Sequence, residues 1–219
     1  MRRTALSLLL LCSATLTFSQ PADKLKNLSN PVLAVKLDSI FAEDQQYRQQ
    51  IDEIEKKFGQ SSKEMKAHWQ LINEKDARNL IIVKDILDKY GWLGKDAVGN
   101  KGNQALFLVI QHADLQTQLH YLPIMQEAVK KGNALGKHLA LLEDRTAIGQ
   151  GKKQIYGSQI GSNPTTGLPY VLPLIDPDQV DQRRAKVGLQ PIAEYVQLWN
   201  IKWDLEQYKR DLAAIEANK

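Results

Sequence analysis

Cysteine is almost absent from this chain: Cys12 is its one thiol. It lies in an apolar stretch near the N-terminus, so a product that sheds this stretch has no cysteine at all. Disulfides then cannot staple the fold, and a thiolate nucleophile or thiolate metal site is excluded. Leu11 stands where a lipid-anchor motif would need a small residue before Cys12, so lipidation is not expected either. Beyond the first stretch no apolar run approaches membrane length, and no membrane span is expected once that stretch is removed. A surplus of one charge is missing too. Without Arg2 and Arg3 the formal net charge falls from +4 to +2. The remaining charges are interspersed, with no basic stripe carrying interleaved aromatics, so no nucleic-acid partner is expected. Strong catalytic signatures are lacking as well. There is no Gly-x-Ser-x-Gly and no His-Glu-x-x-His, and Gly149-Gln-Gly-Lys152 fails the phosphate-loop pattern. No cofactor is expected.

What is present begins with an address. Arg2 and Arg3 precede Ala5–Phe18, a run of apolar and small residues that ends at the small Ser19. That is the layout of a secretory signal peptide, and it is too short for a comfortable span. The expected organisation is a signal peptide over 1–19, a leader over 20–30, a single helical domain over 31–215 and a frayed tail over 216–219. The product would be exported, to the periplasm or beyond.

The remaining pattern is mostly helical. Asn30-Pro31 opens a helix. Leu33, Leu37, Ile40, Tyr47, Ile51, Ile54 and Phe58 recur at steps of three or four with one longer step. They predict one amphipathic helix of about 27 residues, stopped by Gly59. Its charged face, with Asp44, Arg48 and Asp52 among others, reads as solvated. Ser61-Ser62 starts a second helix that ends at Gly91, with a break expected where Lys75, Asp76 and Arg78 interrupt its apolar side. The glycines of Trp92–Gly102 predict a loop, and Asn103 caps a helix over Gln104–Ala113. Further helices follow from Leu115 to Lys131 and from Ala134 to Ala147. Gln154–Ile160 and Leu168–Leu174 then predict a hairpin, with Pro169 and Pro173 at its edges. A short helix ends at Gly188, and a last one, rich in aromatics, runs from Pro191. The fold class is therefore mainly α: a single helical domain of about six or seven helices with one small β-hairpin near residues 154–174.

Candidate chemistry gathers at element ends. The apolar run Ala105–Ile110 leads into Gln111, His112 and Asp114, placing an imidazole and a carboxylate at the edge of a core. Two residues apart on a helix face different ways, so His112 and Asp114 converge only if the helix ends between them. Otherwise Asp114 is an N-cap and His112 a hydrogen-bonded core histidine. Asp144 could orient His112 or pair with an arginine. Arg145 could clamp a carboxylate or phosphate, or complete an internal salt bridge. On a strand, Gln154, Tyr156 and Ser158 would present one hydrogen-bonding face, and Gln159 would point the other way. His112, His120 and His138 do not have the spacing of a helical zinc pair, and no metal site is expected.

These elements carry a resemblance. The ordered set Asp44-Gln45 with Arg48, Asp76 with Asn79, Tyr90-Gly-Trp92, Gly99, Gln111-His-Ala-Asp114, Asp144-Arg145, Gln154-Ile-Tyr-Gly-Ser-Gln159, and Arg183 to Gly188-Leu189 resembles a bacterial domain-of-unknown-function family, number 6624. It covers roughly Asp44 to Tyr195. Leu93, Glu143 and Ser158 depart mildly from the usual pattern. The resemblance implies a secreted protein in which these polar elements form one signature, and it implies no particular activity.

The expectation is a polar pocket for a cell-envelope fragment, such as a glycan or peptide. Its catalytic candidates are His112, Asp114, Asp144 and Arg145. Its ligand-binding candidates are Gln111, Gln154, Tyr156 and Gln159. An enzyme here would be a hydrolase with His112 as general acid or base. The rival expectation is a non-catalytic interaction protein that uses its long first helix and its aromatic last helix, with Trp199 and Trp203.

Overall fold

The computed structural model describes residues 30–163 and 166–217, with side chains through Ala213. The expected signal peptide, leader and terminal tail lie outside the described residues, save Asn30 and the backbone of Glu216 and Ala217. Asn30 is the first described residue, its Oδ1 accepting the Leu33 N–H at 3.1 Å ahead of Pro31. Helix α1 runs Pro31–Arg48 and α2 runs Ile51–Phe58, closed by Gly59 at φ 89°. The single long helix expected here bends at Gln49 and Gln50. Both are exposed, so no packing holds the chain straight, and the bend lays α2 along the next helix.

That helix, α3, spans Lys63–Tyr90 without interruption. Ser62 caps it, its hydroxyl accepting from the Met65 N–H, and Gly91 stops it at φ 69°. The expected break at Lys75–Arg78 does not occur. Lys75 pairs with Glu43 and Asp76 with Arg48, both on α1. Lys75 and Asp76 thus face a neighbouring helix, and Arg78 is exposed, its Nε donating to the Glu74 carbonyl.

The expected loop Trp92–Gly102 is also corrected. Trp92 and Leu93 are buried, and helix α4 already starts at Lys95 and reaches His112. It bends once, at Gly99, where φ of 74° needs glycine. Asn103 does not cap a helix. Its side-chain amide donates to the Leu93 and Asn133 carbonyls, each at 2.7 Å, and so ties two loops together. Gly102 lets α4 approach α1: a Cβ there would lie 3.4 Å from the Leu37 Cβ and 3.0 Å from the Val98 Cβ. Helices α5 (Leu115–Lys130) and α6 (Gly136–Gly149) complete this layer. Its apolar cluster includes Leu37, Ile40, Val83, Leu87, Leu106, Ile110, Met125 and Leu142.

The remainder forms a second cluster of Val171, Leu174, Val180, Ile192 and Val196. Strands β1 (Ile160–Ser162) and β2 (Pro169–Val171) pair antiparallel, with Ile160 opposite Val171. They are shorter than expected because Gln154–Gln159 winds round a buried side chain, with only an isolated bridge from Gln154 to Leu174. Helix α7 (Val180–Lys186) follows a short 3-10 turn. The last expected helix is split. Helix α8 (Ile192–Tyr195) passes into a 3-10 turn that ends at Asn200 (φ 57°), and α9 (Leu205–Ala217) starts afresh. Asparagine tolerates that left-handed backbone. The turn brings Trp203 and Tyr208 together, ring centres 5.0 Å apart, against the second cluster. Trp199 packs on Tyr195 at 5.1 Å. Among the described residues no helix is long and apolar enough to cross a membrane.

The α1–α4 contact yields a test. Gly102→Leu should cost about 2 kcal/mol by overpacking, read as a lower urea midpoint. An unchanged midpoint would show that this approach is not tight.

Candidate functional site

Asp44 stands four residues after Ile40 and three before Tyr47, on the buried stripe of α1. It is 1% exposed. A carboxylate in that position needs hydrogen-bonded or charged partners, since desolvation alone costs several kcal/mol. It has three. The His112 Nδ1 donates to its Oδ1 at 2.9 Å, the Arg48 Nη1 donates to the same oxygen at 3.1 Å, and the Gln45 amide donates to Oδ2 at 2.7 Å. Arg48 then reaches α3. Its Nη1 and Nη2 fork onto the two oxygens of Asp76 at 3.1 and 2.6 Å. Asp76 has its own place in the helical register, four residues after Ile72 and four before Leu80. The five side chains come from α1, α3 and the C-terminal end of α4.

Burial pushes the Asp44 carboxyl up. The bond and charge of His112, the charge of Arg48 and the Gln45 amide outweigh that and hold it below the usual carboxylate range. Because a carboxylate only accepts, Nδ1 must carry a proton. In the neutral ring this leaves Nε2 as an acceptor, and among the described residues it has no partner. The ring is 21% exposed. It lines a depression of about 210 Å³ between Asn73, Asp76 and Leu80 of α3 and Val109 and Asp114 near the α4–α5 junction.

Asp44, Asp76 and His112 could also converge on a cation, since one donor atom from each lies within 4.8 Å of the others. Both carboxylates already accept from Arg48, however. A metal would have to displace a bidentate guanidinium, so the donor set fits a permanent positive charge better than an exchangeable ion.

The other candidates serve different ends. Asp114 caps α5, accepting from the Thr117 N–H and hydroxyl at 2.9 Å each. Gln111 is buried, and its Oε1 has no partner among the described residues. Asp144 is fully buried and faces the 154–159 segment, not His112's ring bond. Its carboxylate accepts from the backbone N–H groups of Ile155 (2.6 Å), Tyr156 (2.9 Å) and Ser158 (2.9 Å). Burial raises its carboxyl pKa despite those bonds. Gln154 is fully buried too, bridging the Gln159 and Leu172 carbonyls and the Gln159 N–H. The side chain of Gln159 donates to the Ser158 hydroxyl. The Tyr156 phenol is pushed up by burial and then by Glu143, and its carbonyl accepts from the buried Arg184 at 2.6 Å. These residues build a second polar knot that fixes the loop. Arg145 is an exposed residue of α6, within electrostatic range of Tyr195 and Arg48. Desolvation lowers its pKa, Tyr195 opposes this, and the like charge of Arg48 adds to it. Its guanidinium makes no hydrogen bond among the described residues.

Asp44, Arg48 and Asp76 are the residues that motif reasoning passed over. Their signal was nonetheless present. The one longer step in the first apolar series, Ile40 to Tyr47, is the gap that Asp44 fills, and Asp76 fills a matching gap between Ile72 and Leu80. All three also belong to the resemblance set. A matching family model covers residues 31–207 and so spans both polar groups. The chain belongs to a family of unknown function, DUF6624. No curated protein and no solved structure matches it.

Two tests separate the polar groups. Asp44 has a folded-state pKa below its unfolded value of about 3.9. The stability it contributes is therefore present above that value and is lost as pH falls through the folded one. Asp44→Asn should cost about 2–3 kcal/mol at neutral pH, and the gap to wild type should narrow as urea unfolding is repeated toward about pH 2.5. Parallel pH profiles would contradict this. Asp144→Ala should cost about 3 kcal/mol through orphaned backbone N–H groups, with faster amide exchange at Ile155–Ser158. A loss below about 1 kcal/mol would show the loop to be held elsewhere.

Proposed function

We propose that this is an exported protein whose cleft between α3 and the end of α4 binds a polar cell-envelope fragment and hydrolyses it, with His112 as general base. One observation carries this: a part-exposed imidazole in a depression, its Nδ1 bonded at 2.9 Å to a buried carboxylate. A base and the group that orients it are the core of acid–base hydrolytic sites. Water held at Nε2 would attack the electrophilic carbon of the scissile bond. Its proton passes to Nε2, and Asp44 stabilises the imidazolium that forms. The same proton then goes to the leaving group. Asp44 takes the orienting part that the sequence suggested for Asp114 or Asp144.

Arg48 holds both carboxylates in place, and Asp76 offers its remaining acceptor capacity to a substrate hydroxyl or amide. Arg145 is assigned the role of meeting negative charge, supported by a guanidinium without a protein hydrogen bond. Export rests on the Arg2–Ser19 pattern.

The test compares wild type with His112→Gln on fractionated envelope material: glycan strands, stem peptides and lipid-linked precursors, with products read by mass spectrometry. Turnover by wild type and a loss of about 100-fold or more in the variant is expected, with matched thermal stability. Equal turnover would remove His112 from the chemistry. Absence of turnover on all three fractions would remove envelope hydrolysis.

A further inference from the structure

The depression at His112 continues along α3. Beside it lies a nearly flat patch of α3 that shares Asn73 and Ala77 with the depression and extends to Trp69. Trp69, Asn73 and Ala77 follow at steps of four, so they form one ridge on the helix, about 12 Å long. Trp69 is 43% exposed. It belongs to neither apolar cluster, and the buried stripe of α3 runs instead through Met65, His68, Ile72, Asn79 and Val83. The fold does not use this indole as core, and its exposed face lies on the patch that borders the His112 depression. Round it stand Lys66, Gln70 and Glu74, all exposed.

We propose that this ridge is the subsite for the extended part of the substrate and that it takes a saccharide chain. A sugar ring stacks on Trp69, and the chain runs past Asn73 and the small Ala77 toward His112. A pyranose presents an apolar C–H face and a rim of hydroxyls. The face fits an indole, and the rim fits an amine, an amide and a carboxylate set round it. An extended peptide is the poorer fit. It would want a free sheet edge or a closed apolar pocket, and this ridge is a helix surface whose backbone groups are already bonded. The substrate class rests on the hydrolytic role given to His112, but binding at Trp69 can be measured without it.

The full chain would be titrated by calorimetry with peptide-free glycan strands from peptidoglycan, as a tetrasaccharide, and separately with free stem peptides. Glycan binding is expected, weakened about tenfold in Trp69→Ala and partly restored in Trp69→Phe. In turnover, Trp69→Ala should raise KM at constant kcat. Ala77→Leu, which crowds the track between the patch and the depression, should weaken the tetrasaccharide more than a monosaccharide. Equal glycan affinity in wild type and Trp69→Ala overturns the subsite, as does binding of peptide alone. Loss of the subsite with His112-dependent turnover intact overturns only this proposal. Glycan binding at Trp69 without turnover overturns only the hydrolytic role.

Discussion

A charge buried at a core position is the constraint on which the helical layer depends. Asp44 occupies a place in α1 where an apolar side chain would otherwise sit, and it is 1% exposed. An uncompensated carboxylate there would destabilise the layer by several kcal/mol. Its partners are supplied by α1 itself and by α4, and Arg48 carries the network on to Asp76 of α3. The compensation works at one relative placement of the three helices. Sliding α4 by a single turn, about 5.4 Å, would take the imidazole off the carboxylate. The close approach of α4 to α1 at Gly102 and Leu37 and the bond at Asp44 therefore specify one arrangement. The packing of this layer and the geometry of the cleft are the same fact seen from two sides.

The sequence made the helical class, the hairpin and most helix ends legible, because caps and stops are local. Ser62, Gly59, Gly91 and Asp114 act within a few residues of themselves. What it hid was non-local. Lys75, Asp76 and Arg78 looked like a helix break because the partners of the first two, Glu43 and Arg48, lie on another helix, while Arg78 is on the exposed side. Asp44 and Arg48 looked like part of a solvated face for the same reason. His112 was legible as a candidate since an apolar run delivered it to the core edge. Its partner was not, because several carboxylates were available and sequence spacing does not rank them. Trp92 and Leu93 looked like loop residues among glycines, yet both join the apolar cluster, and the Asn103 amide holds the Leu93 carbonyl from ten residues on.

The second polar group has a different task. Gln154–Gln159 is irregular backbone crossing the interior, and its N–H and C=O groups need partners. Asp144 and Gln154 serve them from one side. Arg183, Arg184 and Tyr195 serve carbonyls from the other, with the Tyr195 phenol donating to the Ser158 carbonyl at 2.9 Å. Arg184, fully buried, also lies 4.8 Å from the centre of the Tyr195 ring. The hairpin, α7 and α8 are joined through this segment more than through their modest apolar cluster.

Asp44 and Asp144 show how environment divides the work of like groups. Both are buried carboxylates on helices of the same layer. Asp144 is met by neutral backbone donors, and burial still prevails, raising its pKa. Asp44 is met by an imidazole and a guanidinium, and its pKa is lowered. A carboxylate held by N–H groups of its own chain has nothing to pass a proton to, so it can only add rigidity. A carboxylate held by a ring in a solvent-reached depression, whose other nitrogen lacks a partner among the described residues, changes its interaction energy whenever that ring gains or loses a proton. Of the two, only Asp44 hydrogen-bonds a part-exposed titratable side chain.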